Sequence, residues 1–380
     1  MGLADLSGLA YPWDTLTPYA ERARAHPRGV VDLSIGTPVA RPPAAGGAAR
    51  AAATDAHGYP TTHGTPARRE AVSAWFARRR GVPGLDPDAV LPTVGSKELV
   101  GLLPSLLRLG PGDVVVHPRT AYPTYDVGAR PAGAPPRAPV AGDAGAGRAD
   151  VRLVWVNSPS NPTGRVLDAA HLARVVAAAR EIGAVVASDE CYAELAWTEP
   201  FTTTGVPSLL DPAVCGGSHD GLLVTYSLSK QSSMAGYRAA FVAGDAALVA
   251  DLLATRKHLG MIVPAPVQAA MVAALSDDAH VAAQRDVYAR RREVLVEALT
   301  GAGLVIDHSE AGLYLWTRPA DEAAGDCWLT VSALADRGVL VGPGAFYGTE
   351  GAGHVRVALT ATDERVHEAA ARLSGGLPLA

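Results

Sequence analysis

The chain has 380 residues, 48% of them hydrophobic, and a formal net charge of −5 at pH 7. This length predicts two domains, because single hydrophobic cores stop growing near about 250–300 residues. The acidic balance favours neither nucleic acid nor an anionic membrane as a partner.

The cysteines and the N-terminus bear on the cellular compartment. Cys191, Cys215 and Cys327 are widely spaced and odd in number, so they indicate neither a disulfide framework nor a metal site. The first residues carry an early aspartate and no long apolar core, which predicts neither a signal peptide nor a membrane span. We therefore expect a cytoplasmic protein.

The N-terminal part predicts an arm followed by helices. Residues 1–30 hold three prolines and no strong period, which predicts an arm with one short helix. Residues 44–56 are rich in alanine and predict a helix. Residues 66–80 begin with proline, the residue favoured at the first helical position. An amphipathic helix is expected to begin near Gly95 and to run to about Leu109.

The middle of the chain predicts a layered α/β domain. Strands alternate with helices from residue 90 to residue 244, as in a mostly parallel sheet with helices on both faces. Residues 128–148 are rich in alanine, glycine and proline and predict at most one short strand and a flexible surface loop.

The C-terminal part predicts a smaller α/β domain after a helical stretch over residues 265–300. Its expected strands lie near residues 304–306, 312–316, 339–341 and 354–358, and its helices near 329–337 and 363–373. The expected organisation is an arm over 1–40 that contributes to the small domain, a large domain over 41–275 and a small domain over 276–380.

A lysine among small hydroxyl residues follows the apolar run 222–226. The sequence is Ser227-Leu228-Ser229-Lys230, and Arg238 stands eight residues after the lysine, behind a glycine. A lysine amine can form a Schiff base with an aldehyde cofactor, and hydroxyls with a planar guanidinium can hold a phosphate dianion. This pattern suits pyridoxal phosphate, and a solvated basic loop after a strand is the alternative.

Two further predicted strands end in polar residues. Residues 152–156 run into a proline-rich turn that contains Asn161, and residues 184–187 run into Asp189 and Tyr192. Ligands bind outside the carboxyl ends of strands in open α/β sheets. A carboxylate at such an end can pair with a protonated pyridine nitrogen. An ordinary Asn-Pro turn and an aspartate that caps a helix are the alternatives.

The combination resembles a known family. Asn-Pro-Thr-Gly at 161–164, Asp-Glu-Cys-Tyr at 189–192 and Ser-Leu-Ser-Lys at 227–230 with Gly-Tyr-Arg at 236–238 resemble the class I/II aminotransferases of fold type I. The resemblance implies pyridoxal 5′-phosphate as the cofactor. It also implies an α/β fold, in which helices sandwich a mostly parallel central sheet and a smaller α/β domain is attached.

The resemblance also implies a role for each site residue. Lys230, Asp189 and Tyr192 would be catalytic, with Lys230 as the Schiff-base lysine and Asp189 as the partner of the pyridine nitrogen. Asn161 and Tyr192 would bind the ring oxygen. The other expected cofactor contacts are a stacking ring at Tyr122 and a phosphate site formed by Gly95, Ser96, Lys97, Ser227, Ser229 and Arg238.

Further resemblances concern the substrate and the assembly. Arg356, Gly36 and Asn161 would bind the substrate, with Arg356 on its α-carboxylate. Tyr59 would cross to the cofactor phosphate of a partner subunit, which implies a homodimer. A core tyrosine and a solvent-facing strand arginine are the alternatives for Tyr122 and Arg356. One departure is alanine at 240, where the family often has glycine.

Longer strings narrow the resemblance. Residues 32–38, 122–130, 256–268 and 307–316 resemble succinyldiaminopimelate aminotransferases of lysine biosynthesis. This resemblance implies N-succinyl-LL-2,6-diaminopimelate as the donor and 2-oxoglutarate as the acceptor. Basic candidates for the distal succinyl group are Lys97, His63 and Lys257.

Three alternatives remain open at this stage. The first is an aminotransferase for an aromatic, branched-chain or natural-product substrate, and the second is a carbon–sulfur lyase. The third is a cofactor-binding transcription regulator, which we do not expect because only about 30 residues precede the matching region.

Overall fold

The computed structural model describes residues 12–137, 148–321 and 325–378. Residues 138–147 of the predicted surface loop and residues 1–11 of the predicted arm therefore lie outside the described residues. The α-helices of the described ranges are α1 (Thr17–Arg24), α2 (Ala44–Ala52), α3 (Pro66–Arg79), α4 (Ser96–Leu106), α5 (Thr124–Ala129), α6 (Ala169–Glu181), α7 (Phe201–Thr204), α8 (Pro212–Cys215), α9 (Leu228–Gln231), α10 (Ala246–Leu259), α11 (Ala265–Leu275), α12 (Asp278–Gly301), α13 (Cys327–Asp336) and α14 (Asp363–Leu373).

The strands are short and mostly buried. They are β1 (Val31–Asp32), β2 (Val90–Val94), β3 (Val114–Val116), β4 (Pro136–Arg137), β5 (Val151–Asn157), β6 (Val185–Asp189), β7 (Leu222–Ser227), β8 (Ala239–Gly244), β9 (Leu304–Ile306), β10 (Tyr314–Pro319), β11 (Val339–Leu340), β12 (Gly342–Pro343) and β13 (Val355–Ala358).

A seven-stranded sheet forms the larger part of the fold, in the order β2-β8-β7-β6-β5-β3-β4. The neighbours from β7 to β4 pair in parallel, whereas β8 is antiparallel to both of its neighbours. Its strands are apolar runs buried on both faces, as parallel sheets require. Helices α4, α5 and α10 cover one face, and α3, α6, α8 and α11 cover the other. This arrangement confirms the predicted α/β sandwich.

The register of this sheet brings several chain segments to one edge. Asn157 pairs with Asp189, so β5 and β6 end side by side, and β7 continues slightly beyond them. Because β8 runs the opposite way, its first residue lies at the same edge and pairs with Val94 at the end of β2. The strand ends with polar residues therefore meet at a single edge, as predicted.

A second, smaller sheet is antiparallel, in the order β12-β13-β10-β9. A two-stranded parallel sheet joins the ends of the chain, since Val31 in β1 pairs with Val339 in β11. Leu16 and Leu33 from the N-terminal part share one hydrophobic cluster with Val366 and Leu373 of α14. The N-terminal arm therefore packs with the C-terminal part, while the boundaries 1–40, 41–275 and 276–380 stay a prediction.

Some elements differ from the predicted bounds for identifiable reasons. Helix α4 ends at Leu106 rather than near Leu109, since Arg108 takes a left-handed backbone with φ +57. The strand predicted at 312–316 begins only at Tyr314, after Gly312 at φ +96. Ala240, the departure from the family pattern, is buried in β8 opposite Ser227 and is accommodated there. Across the described ranges, no helix is both long and apolar enough to cross a membrane.

Candidate active site

Lys230 lies on a one-turn helix directly after β7. The helix is capped by Ser227, whose Oγ accepts a hydrogen bond from the backbone N–H of Ser229 at 3.1 Å. The two serine hydroxyls are 2.7 Å apart. The Nζ of Lys230 donates to the carbonyl oxygen of Gly36, which comes from the N-terminal segment. The strand-to-helix turn thus holds the amine at the carboxyl edge of the large sheet.

Asp189 is a buried carboxylate at the end of β6. Its Oδ2 accepts from the Tyr125 hydroxyl at 3.0 Å, and its Oδ1 accepts from the backbone N–H of Cys191 at 3.2 Å. Burial raises the pKa of Asp189, and the hydrogen bonds from Cys191 and Tyr125 only partly oppose it. Among the described residues no basic side chain forms an ion pair with it. A protonated pyridine nitrogen fits this carboxylate, because it supplies the missing positive charge.

The turn after β5 is tied to Asp189 by a residue that the sequence analysis did not select. The Oδ1 of Asn157 accepts from the backbone N–H of Asn161 at 2.7 Å. Its Nδ2 donates to the carbonyl oxygens of Asp189 at 2.9 Å and Pro159 at 3.2 Å. Asn157 therefore fixes both predicted cofactor contacts relative to one another. Its position directly after the predicted strand 152–156 was the available signal.

The predicted phosphate residues lie at the ends of β2 and β7, just before β8, and in the first turns of α4 and α9. Gly95 has φ +76, and a Cβ there would collide with the guanidinium of Arg238. Its N–H donates to the Arg238 carbonyl at 2.9 Å. Ser96 and Lys97 open α4, and backbone N–H groups at a helix start attract anions. Together with the two serines around Lys230, this donor set fits a phosphate dianion.

Tyr122 lies beside this donor set and presents its ring to the cavity. The ring packs edge-on against Tyr125, with centroids 5.8 Å apart. The Nζ of Lys97 lies 5.9 Å from its centroid. Tyr122 is only partly buried, so it lines the cavity rather than belonging wholly to the core.

Arg356 approaches from the small sheet, where it lies in β13 and is 4% exposed. Its Nη1 donates to Oδ1 of Asn161 at 3.0 Å and its Nη2 to the Ser34 carbonyl at 2.7 Å. Its Nε has no hydrogen-bond partner among the described residues. No carboxylate of those residues forms an ion pair with it, although buried charges are normally paired. A ligand carboxylate fits this guanidinium.

These side chains surround one cavity of about 320 Å³. The predicted residues that line it are Gly36, Ser96, Lys97, Tyr122, Asn161, Asp189, Tyr192, Ser227, Ser229, Lys230, Arg238 and Arg356. Gly95 lies behind Arg238 rather than on the surface of the cavity.

Three selected residues lie away from the cavity of this chain. Tyr59 does not line the cavity and is fully exposed. His63 also lies elsewhere, where its ring contacts Arg69 at 2.7 Å. Lys257 lies on α10 and does not line the cavity.

Other lining residues were not selected from the sequence. Trp13, Ile35 and Thr37 come from the N-terminal segment, and Tyr314 comes from β10. Ile35, Thr37 and Tyr314 lie in strings that carry the resemblance, but no site role was assigned to them, and Trp13 lies outside those strings.

A strand-end carboxylate, a lysine on the short helix after the neighbouring strand and an anion site at the same edge of the sheet define the class of fold type I pyridoxal-phosphate enzymes. Residues 28–373 match the sequence model described as "Aminotransferase class I and II", and the chain belongs to this family. The protein is therefore a pyridoxal-phosphate-dependent aminotransferase.

Named relatives and a solved structure cover nearly the whole chain. A 4-dedimethylamino-4-oxo-anhydrotetracycline transaminase of Streptomyces rimosus is 57% identical, over 96% of this chain and 98% of its own. A probable aminotransferase of Mycobacterium tuberculosis is 55% identical, over 96% of this chain and 85% of its own. The structure of a probable N-succinyldiaminopimelate aminotransferase of Thermus thermophilus superposes with a TM-score of 0.84. It is 30% identical and covers 96% of this chain and 99% of its own.

Proposed function

We propose that this aminotransferase exchanges an amino group between an amino acid and 2-oxoglutarate, and that Lys230, Asp189 and Arg356 carry the reaction. The observation behind the proposal is the buried guanidinium of Arg356, which has no carboxylate partner among the described residues and faces the cavity that contains Lys230. Every amino acid and 2-oxo acid has a carboxylate next to the reacting carbon. A guanidinium can bind that carboxylate through two parallel hydrogen bonds, which lysine cannot copy.

In this proposal each side chain has a separate task. The cofactor, when bound, supplies an electron sink for the charge that develops at the substrate Cα. Lys230 takes the Cα proton on Nζ and returns it later in the reaction. Asp189 keeps the pyridine nitrogen protonated, and Asn161 with Tyr192 binds the ring oxygen. Arg356 orients the substrate so that its Cα lies near Nζ, and positioning of this kind lowers the barrier.

For the particular donor we propose N-succinyl-LL-2,6-diaminopimelate. The support is the resemblance of residues 32–38, 122–130, 256–268 and 307–316 to succinyldiaminopimelate aminotransferases, together with the similarity to the structure of the probable N-succinyldiaminopimelate aminotransferase of Thermus thermophilus. The contacts of Arg356 and Gly36 are common to all amino acids, so the distal group must decide the choice of donor.

A second candidate function follows from the Streptomyces rimosus relative. That relative is named as a transaminase of an oxo-anhydrotetracycline, and it is 57% identical to this chain. In that case the ketone of a polycyclic compound would accept the amino group, and Arg356 would hold only the carboxylate of the amino donor.

An activity panel on the purified, cofactor-loaded protein distinguishes these functions. The compounds are N-succinyl-LL-2,6-diaminopimelate, phenylalanine, leucine and cystathionine with 2-oxoglutarate, and the oxo-anhydrotetracycline with glutamate. We expect the succinylated donor to be turned over fastest. A faster reaction of phenylalanine or leucine would overturn the donor, and amination of the polycyclic ketone would favour the second candidate. Release of pyruvate, ammonia and homocysteine from cystathionine would indicate a lyase instead.

Lys97 is the proposed contact of the distal succinyl carboxylate, because it lines the cavity whereas His63 and Lys257 do not. Lys97 is exposed, so its attraction to an anion is screened by water. We therefore expect Lys97→Met to lower kcat/KM for the succinylated donor only up to about fivefold, with a smaller effect on glutamate. Equal losses on both substrates would contradict this contact, and Lys257→Met is the matched control.

A further inference from the structure

Tyr314 has contacts on both of its sides that the proposed function does not use. It begins β10, lies opposite Ala358 of β13 and lines the cavity while being almost fully buried. Two positions along the same register, Trp316 pairs with Arg356, so Tyr314 and Arg356 lie on the same face of the small sheet. The small sheet therefore presents Tyr314 and Arg356 together to the carboxyl edge of the large sheet.

The face of the Tyr314 ring supports the guanidinium of Arg356. The guanidinium carbon lies 4.0 Å from the ring centroid, closer than it lies to the rings of Tyr347 at 4.9 Å or Trp13 at 5.6 Å. A cation over an aromatic face is held more strongly where water is excluded. The hydrogen bonds to Asn161 and Ser34 fix two nitrogens, and the Tyr314 ring fixes the plane of the group.

The hydroxyl of Tyr314 reaches the other half of the site. It lies 3.4 Å from the hydroxyl of Tyr192. A Cβ at Gly36 would collide with this hydroxyl, so glycine is needed there, and the carbonyl of the same glycine accepts from Nζ of Lys230. The hydroxyl oxygen of Tyr314 therefore lies close to Gly36, which holds Lys230, and to Tyr192, the predicted contact of the ring oxygen.

The charges around the two phenols make them unequal. Burial acts to raise the pKa of Tyr314, but the positive charges of Arg356 and Lys230 outweigh burial and lower it. Burial, reinforced by Tyr314, raises the pKa of Tyr192 well above its ordinary value. Tyr288, on α12, also interacts with Tyr314. Tyr314 is therefore the better acceptor of the pair, and it competes for the hydrogen of Tyr192.

We propose that Tyr314 is a positioning residue that couples the carboxylate-binding and cofactor-binding halves of the site: its ring orients Arg356, and its hydroxyl sets the hydrogen-bond direction of Tyr192. The inference rests on the proposed function for the role of Arg356. The two tasks lie on different atoms, so two substitutions separate them. Tyr314→Phe removes only the hydroxyl, whereas Tyr314→Leu removes the ring as well.

The first measurement is binding of succinate, a dicarboxylate that cannot react, to the cofactor-loaded protein. We expect Tyr314→Leu to raise the Kd by about tenfold and Tyr314→Phe to leave it within about twofold. An unchanged Kd in Tyr314→Leu, or an equal rise in both variants, would refute the task assigned to the ring.

The second measurement is the pH midpoint of the visible absorbance band of the loaded protein. Without the Tyr314 hydroxyl, Tyr192 would donate its hydrogen only to the ring oxygen of the cofactor. A stronger hydrogen bond to that oxygen would lower the pKa of the nearby nitrogen that links Lys230 to the cofactor. We expect the midpoint of Tyr314→Phe to fall by about 0.5 pH unit or more. A midpoint equal to that of the unsubstituted protein would refute the task assigned to the hydroxyl.

Tyr226→Phe is the matched control, since it removes a buried hydroxyl that contacts Gln231 and does not line the cavity. Both quantities should stay unchanged in this variant. If the unsubstituted protein fails to bind succinate, the proposed dicarboxylate acceptor is wrong, and the absorbance measurement still decides the role of the hydroxyl. If Tyr314→Leu does not fold, Tyr314→Phe alone tests the proposal, because it must shift the midpoint and spare succinate binding.

Discussion

At the residue scale, the predicted chemistry depends on one amine. Lys230 lines the cavity, and its Nζ is fixed by the Gly36 carbonyl. We predict that purified protein is yellow and that Lys230→Ala loses the visible band, because a covalent link to the cofactor requires this amine. Borohydride should trap the cofactor on the unsubstituted protein only. Lys257→Ala is the control and should stay yellow, while a full band in Lys230→Ala would refute the assignment.

The buried carboxylate of Asp189 is predicted to destabilise the protein when the cofactor is removed. Its pKa is raised in the folded state by burial, so its contribution to stability is greatest below the unfolded pKa and is lost as pH rises through the folded pKa. At pH 7 to 8, Asp189→Asn should therefore raise the melting temperature of cofactor-free protein while weakening retention of the cofactor.

The melting temperatures of the two cofactor-free proteins must be compared at two pH values, so that the effect of the Asp189 charge is separated from other effects of the substitution. Near pH 4 the two cofactor-free proteins should differ less, because the raised pKa of Asp189 makes a larger share of its carboxyl neutral there than at pH 8. A cofactor-free Asp189→Asn protein that melts below the unsubstituted protein at pH 8 would contradict this account.

At the element scale, the start of α4 is held in place by a buried ion pair. Arg256 of α10 donates to both carboxylate oxygens of Glu98, at 2.6 and 3.1 Å, and Glu98 in turn accepts from the backbone N–H of Val94. We predict that Arg256→Met destabilises the protein by about 3 kcal/mol, because removal of one partner leaves a poorly solvated charge. It should also weaken cofactor binding, since Ser96 and Lys97 lie on the same helical turn.

Urea unfolding and cofactor dissociation measure the two effects. The double variant Glu98→Gln with Arg256→Met should recover part of the lost stability, because no charge is then left unpaired. A double variant no more stable than Arg256→Met would show that the pairing of charges is not the cause.

Regular elements could be predicted from the sequence where one periodicity extends over several turns. Helix α3 follows its predicted range closely, since Thr65 accepts from the Arg68 N–H and proline begins the helix. Strand β12 could not be predicted, because its two residues are glycine and proline and its pairing with β13 is set by tertiary packing. Short strands carry too few residues to show a period.

The candidate site shows the same limit. Residues at strand ends could be placed together, because parallel strands end at one edge of a sheet. Trp13 and Tyr314 could not, since each reaches Arg356 from a segment far away in the chain. Asn157 belongs with the predictable residues, as it ends β5 beside Asp189.

At the scale of the whole molecule, several large apolar side chains of the described ranges are exposed to solvent in the single chain. Tyr59 is fully exposed, and Ile35, Val39 and Leu259 are each more than half exposed. We propose a homodimer in which Tyr59 completes the phosphate site of the other subunit. Sedimentation at low micromolar concentration should show a dimer, and an active monomer would contradict the proposal.

Mixed dimers give a sharper test of the shared site. Tyr59→Ala and Lys230→Ala chains should each have little activity, but mixing equal amounts under exchange conditions should restore about a quarter of the sites, because half of the dimers then contain one intact site. The control is Tyr59→Ala mixed with a chain that carries both changes, which can form no intact site and should stay inactive. No restoration in the first mixture would show that Tyr59 does not act across the interface.

The pairing of β1 with β11 has a consequence for how the protein is made. Val31 meets Val339 in the sheet, so most of the chain must be synthesised between the two strands. The large sheet, from β2 to β8, can form while the ribosome is still translating the C-terminal third. The apolar side chains of the N-terminal segment, such as Leu16 and Leu33, stay uncovered until α14 has been synthesised. Deletion of the segment from Leu16 to Leu33 and deletion of α14 would therefore remove parts of the same core.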